Sequence, residues 1–189
     1  MTTPATVASP LRPSAFVWAA LALGLMAGAI TSENFWFLDF IHVASGLLWT
    51  GIDLFMGFVI GPILRRLSVE QRRPIIVALL PRTLILMPVL SIITTTSGWF
   101  LARQMGYLDA AYPGFLWVVA ALVVVTILTI QGLAILLPTN LLVYFEIQKR
   151  VMDDAKIARW MRRYIYVVAS QGALQLVIIV IMARFRAGL

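Results

Sequence analysis

The sequence has no cysteine, one histidine and few acids, with eight Asp and Glu against 15 Lys and Arg in 189 residues. The missing cysteines exclude disulfides, iron–sulfur clusters and thiolate metal sites. A lone histidine without cysteine cannot close a zinc or copper shell. Charged residues make up only 12% of the chain, and no Walker, nucleophile-elbow or HExxH pattern occurs. Soluble-type phosphoryl transfer and hydrolysis therefore have no support.

Apolar surface is what the chain has in excess. Hydrophobic residues make up 61% of it and the mean hydropathy is +0.95. A soluble domain could not hide that much, so the expected solvent is lipid. The net charge of +7 sits in clusters between apolar runs rather than in a patch with interleaved aromatics. That pattern is a topological signal and a contact for anionic lipid, not a nucleic-acid surface.

A bilayer core about 30 Å thick needs roughly 20 apolar residues per helix. Windows at 15–31, 35–64, 75–101, 115–137 (extending to 145) and 164–182 meet this, which predicts an all-α, polytopic bundle of five membrane helices. Spans two to five are expected to form a four-helix core. Residues 1–14 read as a cytoplasmic tail and 15–189 as one domain, with the first span retained rather than cleaved. The linker 146–163 carries Ile147, Val151, Ile157 and Trp160 at helical spacing amid charges and reads as an amphipathic connector. "LLPRTL" and "LLPTNL" carry Pro81 and Pro138, read as local helix punctuation. "GFVIG" is a GxxxG that permits close helix contact.

Placing the N-terminus inside puts all but Arg103, Arg184 and Arg186 of the 15 basic residues on the cytoplasmic side. The expected location is the bacterial inner membrane, N-terminus cytoplasmic and C-terminus external.

The chemistry concentrates in the second span, "FLDFIHVASGLLWTGIDLFMGFVIG". Asp39, His42, Gly46, Trp49, Asp53 and Gly57 follow one another at steps of three or four, so they share one stripe of a helix. A charged group at mid-membrane costs about 2.5–3.5 kcal/mol on insertion scales, so that stripe should face the bundle. His42 and Asp53 are about 16 Å apart at about 1.5 Å per residue, which implies two sites. Arg82 on the next span is the expected ion-pair partner of Asp53. Around His42, span three offers Ser91, Thr94, Thr95, Thr96 and Ser97. Span five offers Gln175, Met182, Arg184 and Arg186, and span one Met26. A lone intramembrane histidine has three roles open to it: axial haem ligand, proton relay, or hydrogen-bonded packing residue.

His42, Trp49 and Gly51, in the pattern H-x6-W-x-G before a basic turn, resemble small bacterial membrane proteins of the CopD-like and HemJ-like groups, among them predicted integral membrane proteins of unknown function. The similarity covers mainly residues 37–66. It implies haem b bound through His42, within a small redox-type membrane protein. In that reading Gly46 clears the ring plane, Trp49 packs its edge, Asp39 orients the imidazole, and Arg184 and Arg186 meet the propionates. Met26 or Met182 would be the sixth ligand. Two alternatives stand beside it: a non-catalytic subunit or assembly factor packed against other membrane subunits, and a small proton-coupled transporter. Partners in every reading are the lipid bilayer and membrane subunits or a redox partner.

Overall fold

Each apolar run becomes a helix because the residues between runs supply its caps. In the computed structural model, which describes residues 11–149 and 153–187, all regular structure is helical. Helix α1 (Pro13–Thr31) begins with proline at its first turn, where no N–H is needed. Asn34 caps α2 (Phe35–Arg66) by accepting from the Phe37 N–H at 3.0 Å. Ser68 and Gln71 form a reciprocal capping box at the start of α3 (Val69–Gln104). Helix α4 (Phe115–Ile147) follows Gly114, and Asp153 caps α5 (Asp154–Arg186) through the Lys156 N–H at 2.9 Å.

All five helices are long and apolar enough to cross a membrane. All five are longer than the sequence windows. The fifth takes in the second half of the expected surface connector, so Ile157 and Trp160 belong to α5 itself. Their apolar side packs on a core cluster. Val151, Arg150 and most of the 1–14 tail lie outside the described residues.

Helix α2 runs along α3 and α4 along α5, and contacts of α2 with α5 and α3 with α4 close the ring. Helix α1 lies outside against α3 and α2, with only Ala29 fully buried. Three apolar clusters hold the packing. Val77, Leu80, Leu84, Val143, Tyr144 and Ile147 fill one end. Trp49, Leu90, Ala121, Val124, Leu128 and Ile181 fill the opposite half. Ala29, Leu38 and Leu101 attach α1. Outward-facing Trp18, Trp36, Leu47, Phe58, Leu116 and Tyr166 are 70–82% exposed, an apolar exterior suited to lipid.

Two helices widen at prolines. In α2 the turn Met56–Ile60 is a π-helix, the Gly61 N–H bonds to the Met56 carbonyl, and Pro62 follows. In α4 the turn Ile130–Leu136 is a π-helix, the Leu137 N–H bonds to the Gly132 carbonyl, and Pro138 follows. A proline ring clashes with the carbonyl four residues back and offers no N–H; one extra residue in the turn relieves the clash and leaves a carbonyl free. Pro138 therefore punctuates α4 locally, as expected, whereas Pro81 sits inside an uninterrupted α3 with Pro74 and Pro88.

One ion-pair group among the described residues ties α4 to α5. The buried Glu146 carboxylate meets Lys149 at 2.8 Å and Lys156 at 3.5 Å. Glu146→Ala should lower the thermal midpoint of the detergent-solubilised protein more than Lys149→Ala does. Loss of one lysine still leaves the carboxylate the other. A melt in which Lys149→Ala costs as much as Glu146→Ala would show that Lys156 contributes nothing.

Candidate functional site

The polar stripe of α2 faces the bundle, and its two halves do different things. Toward the Phe35 end, His42 meets α3. Its Nδ1 donates to the Thr94 carbonyl at 3.0 Å, with the Ser97 hydroxyl 3.4 Å away. Three residues on, Ser45 Oγ accepts from Thr94 Oγ1 at 2.9 Å. The contact is close because both helices present small residues. A Cβ added at Gly98 would lie 2.6 Å from His42 Cε1, and one at Gly46 would lie 3.3 Å from Thr94 Cγ2. Ser97 is fully buried in the same seam. Small residues and interhelical hydrogen bonds are what bring helices together where lipid removes the hydrophobic drive between them.

Of the groups expected to cradle a ring at His42, Gly46, Trp49 and Met182 pack against other side chains. The imidazole N–H goes to Thr94 rather than Asp39, which is half-buried one turn away. Gly46 makes room for Thr94, and Trp49 and Met182 pack in the apolar cluster of α3, α4 and α5. Arg184 and Arg186 are exposed at the end of α5. There Phe185 stacks on Tyr107, and Tyr107 on Tyr112, at 5.4 and 4.5 Å. Met26 is half-exposed on α1. Among the described residues no group of three His, Asp or Glu is placed to hold a metal ion. Gly57 of the GxxxG faces open space, so that pair makes no contact between the described helices.

The other half of the stripe holds Asp53. Its Oδ2 accepts from the side-chain amides of Gln171 and Gln175, both at 2.7 Å, from the middle of α5. The expected Asp53–Arg82 pair is not formed. Leu80 and Leu84 turn one face of α3 inward, and Arg82, two residues from each, lies about 200° round the helix. It is exposed and donates to the Ala78 carbonyl of its own helix. Of the two glutamines, Gln175 was placed with the His42 group by depth along the chain, and Gln171 was not singled out. The signal for both was there: a Gln pair four apart in the apolar run "SQGALQL" marks one polar face on an otherwise apolar stretch of helix.

Asp53 borders a cavity of about 50 Å³ between the two large apolar clusters. Its walls include Trp49, Thr83, Leu84, Pro88, Ser91, Gly132, Asn140, Tyr164 and Gln171. By volume it holds about three or four water-sized occupants. The π-helix of α4 forms one wall and that of α2 begins three residues after Asp53. Comparison with protein-family profiles, curated proteins and solved structures finds no match. What this chain does must be read from the site itself.

The site can hold a charge in either of two states. A side-chain amide presents N–H on one side and C=O on the other, so a half-turn converts a donor for carboxylate into an acceptor for carboxylic acid. Gln171 and Gln175 as placed support the ionised form.

Gly98→Ala should force His42 off the Thr94 carbonyl and cost about 1–3 kcal/mol, the usual range for overpacking. Gly51→Ala, where an added Cβ meets nothing, should be silent. Unfolding of both variants in detergent tests this; equal midpoints would mean that the His42–Gly98 contact carries no weight.

Proposed function

We propose that the protein is a small multi-pass transport protein of the bacterial inner membrane, with Asp53 as the group that takes up and releases a positive charge during the cycle. The observation that carries this reading is the carboxylate itself: it sits midway along the helices, on two amides, beside a small cavity, with no lysine or arginine on the cavity wall. A structural ion pair would have supplied a cation. A carboxylate kept without one in an apolar bundle is costly, and such groups in membrane helices serve ion and proton paths.

In this reading α2–α5 form the core across the bilayer and α1 is peripheral, with the N-terminus cytoplasmic. The basic residues flanking α2, α3 and α5 support that orientation. The wide turns after Asp53 and along α4 supply weak points where helix halves can tilt, since π-turns and prolines are the usual causes of kinks. Tilting there would expose the cavity to one side and then the other while the His42–Thr94 seam holds α2 on α3.

A second reading, a haem b protein related to the CopD-like and HemJ-like groups, is favoured by one observation. The Thr94 carbonyl holds the imidazole proton on Nδ1, leaving the His42 Nε2 lone pair as the ligating atom, the arrangement common to ligating histidines. Haem there would supply one-electron redox chemistry. Its mark is a Soret band in gently purified protein that His42→Ala removes. A colourless protein that takes up no added haem ends this reading.

Two outcomes test the first. Cysteines introduced at Gln71 and Ala110 should label from opposite sides of the membrane, and labelling from one side would overturn the topology. In proteoliposomes under an imposed potential, the wild type should carry H+ or Na+ faster than empty liposomes. Asp53→Asn, which keeps the shape and loses the charge, should fall to background while its thermal melt stays cooperative. Flux through Asp53→Asn equal to wild type would remove Asp53 from the mechanism.

A further inference from the structure

The groups around Asp53 have oxygens to spare. Gln171 and Gln175 are 3% and 1% exposed. Each gives its amide N–H to Asp53, and the Oε1 of each is buried without a hydrogen-bond partner among the described residues. Two orphan acceptors beside a carboxylate leave an excess of negative potential that no described side chain meets. Native interiors rarely leave a buried acceptor unmet, and two on the amides that hold one acid favour an occupant bearing positive charge.

The cavity walls add to this. Pro88 carries no N–H, so the Leu84 carbonyl lacks its helical donor, and Leu84 and Pro88 both line the cavity. The Ser91 hydroxyl, also on the wall, donates to the Pro88 carbonyl at 2.9 Å and keeps its own lone pairs free. Tyr164 is the other titratable side chain on the wall. The donor set is therefore oxygen throughout: carboxylate, side-chain amide, hydroxyl and main-chain carbonyl.

We infer that this cavity is a binding site for a monovalent alkali cation, held by the Asp53 carboxylate and the Gln171 side-chain oxygen on its wall, with the Gln175 amide holding the carboxylate in place. The inference rests on the reading of Asp53 as the ion-handling residue and names the ion class. Oxygen-only ligands select hard cations. A single carboxylate is neutralised by a single positive charge, whereas a divalent ion would leave a net charge in a low-dielectric bundle. A cavity of about 50 Å³ takes one such ion with a water or two.

The test uses the full chain purified in detergent and stripped of alkali cations. Binding of 22Na+ is measured against a choline chloride background of constant ionic strength. Saturable binding is expected in the wild type and none in Asp53→Asn. Gln171→Leu and Gln175→Leu should each bind about tenfold more weakly or worse, about 1.4 kcal/mol or more. Gln104→Leu, whose amide contacts the Glu33 carbonyl far from the cavity, should bind as wild type. Absence of saturable binding by a wild type with a cooperative melt overturns the inference, as does equal binding by Asp53→Asn. Should Asp53→Asn fail to fold, the two glutamine variants decide, and unchanged affinity in both overturns it. Proton flux through Asp53 with no sodium binding would sink this inference alone; sodium binding without flux would sink the transport reading alone.

Discussion

The ring of helices closes on one carboxylate that has amides for partners instead of a base. An ionised group removed from water needs either an opposite charge or several hydrogen bonds, and Asp53 has the second. Gln171 and Gln175 reach it from α5, so the same two contacts that satisfy the acid also hold α2 to α5 across the ring. Apolar clusters fill the helices on either side of that level, and the cavity is the gap between them. Packing and chemistry meet at one height.

The histidine turns out to be part of the scaffold that makes this possible. With its ring against Gly98 and its proton on the Thr94 carbonyl, it fixes the approach of α2 and α3, and Ser45, Gly46 and Ser97 complete a narrow seam. That seam sets the rotation of α2, which is what aims Asp53 at α5. The prolines work in the opposite sense. Pro62 and Pro138 each follow a widened turn, and both turns lie at or next to the cavity. The helices thus pack closely at the His42 level and depart from α-helical geometry at and just beyond Asp53.

How much of this was legible in the chain depends on whether the signal is local. Hydropathy and the 3.6-residue period are local properties, and they were enough for five apolar helices, for the inward stripe from Asp39 to Asp53 (Gly57, its expected last member, is exposed) and for the separation of His42 from Asp53. The chain also determined that Asp53 needed a partner, since the cost of burying an acid does not depend on the fold. Which partner it took is a different kind of fact. Arg82 is close in sequence and matches in charge, but the rotation of α3 about its axis, set by Leu80 and Leu84, turns it outward. Gln171 and Gln175 lie 118 and 122 residues away and reach the acid only because the ring of four helices closes. The tertiary structure alone decided that the stripe would be split between a seam and a site. Helix phase and helix adjacency are set by all the contacts at once, and no stretch of the chain carries them.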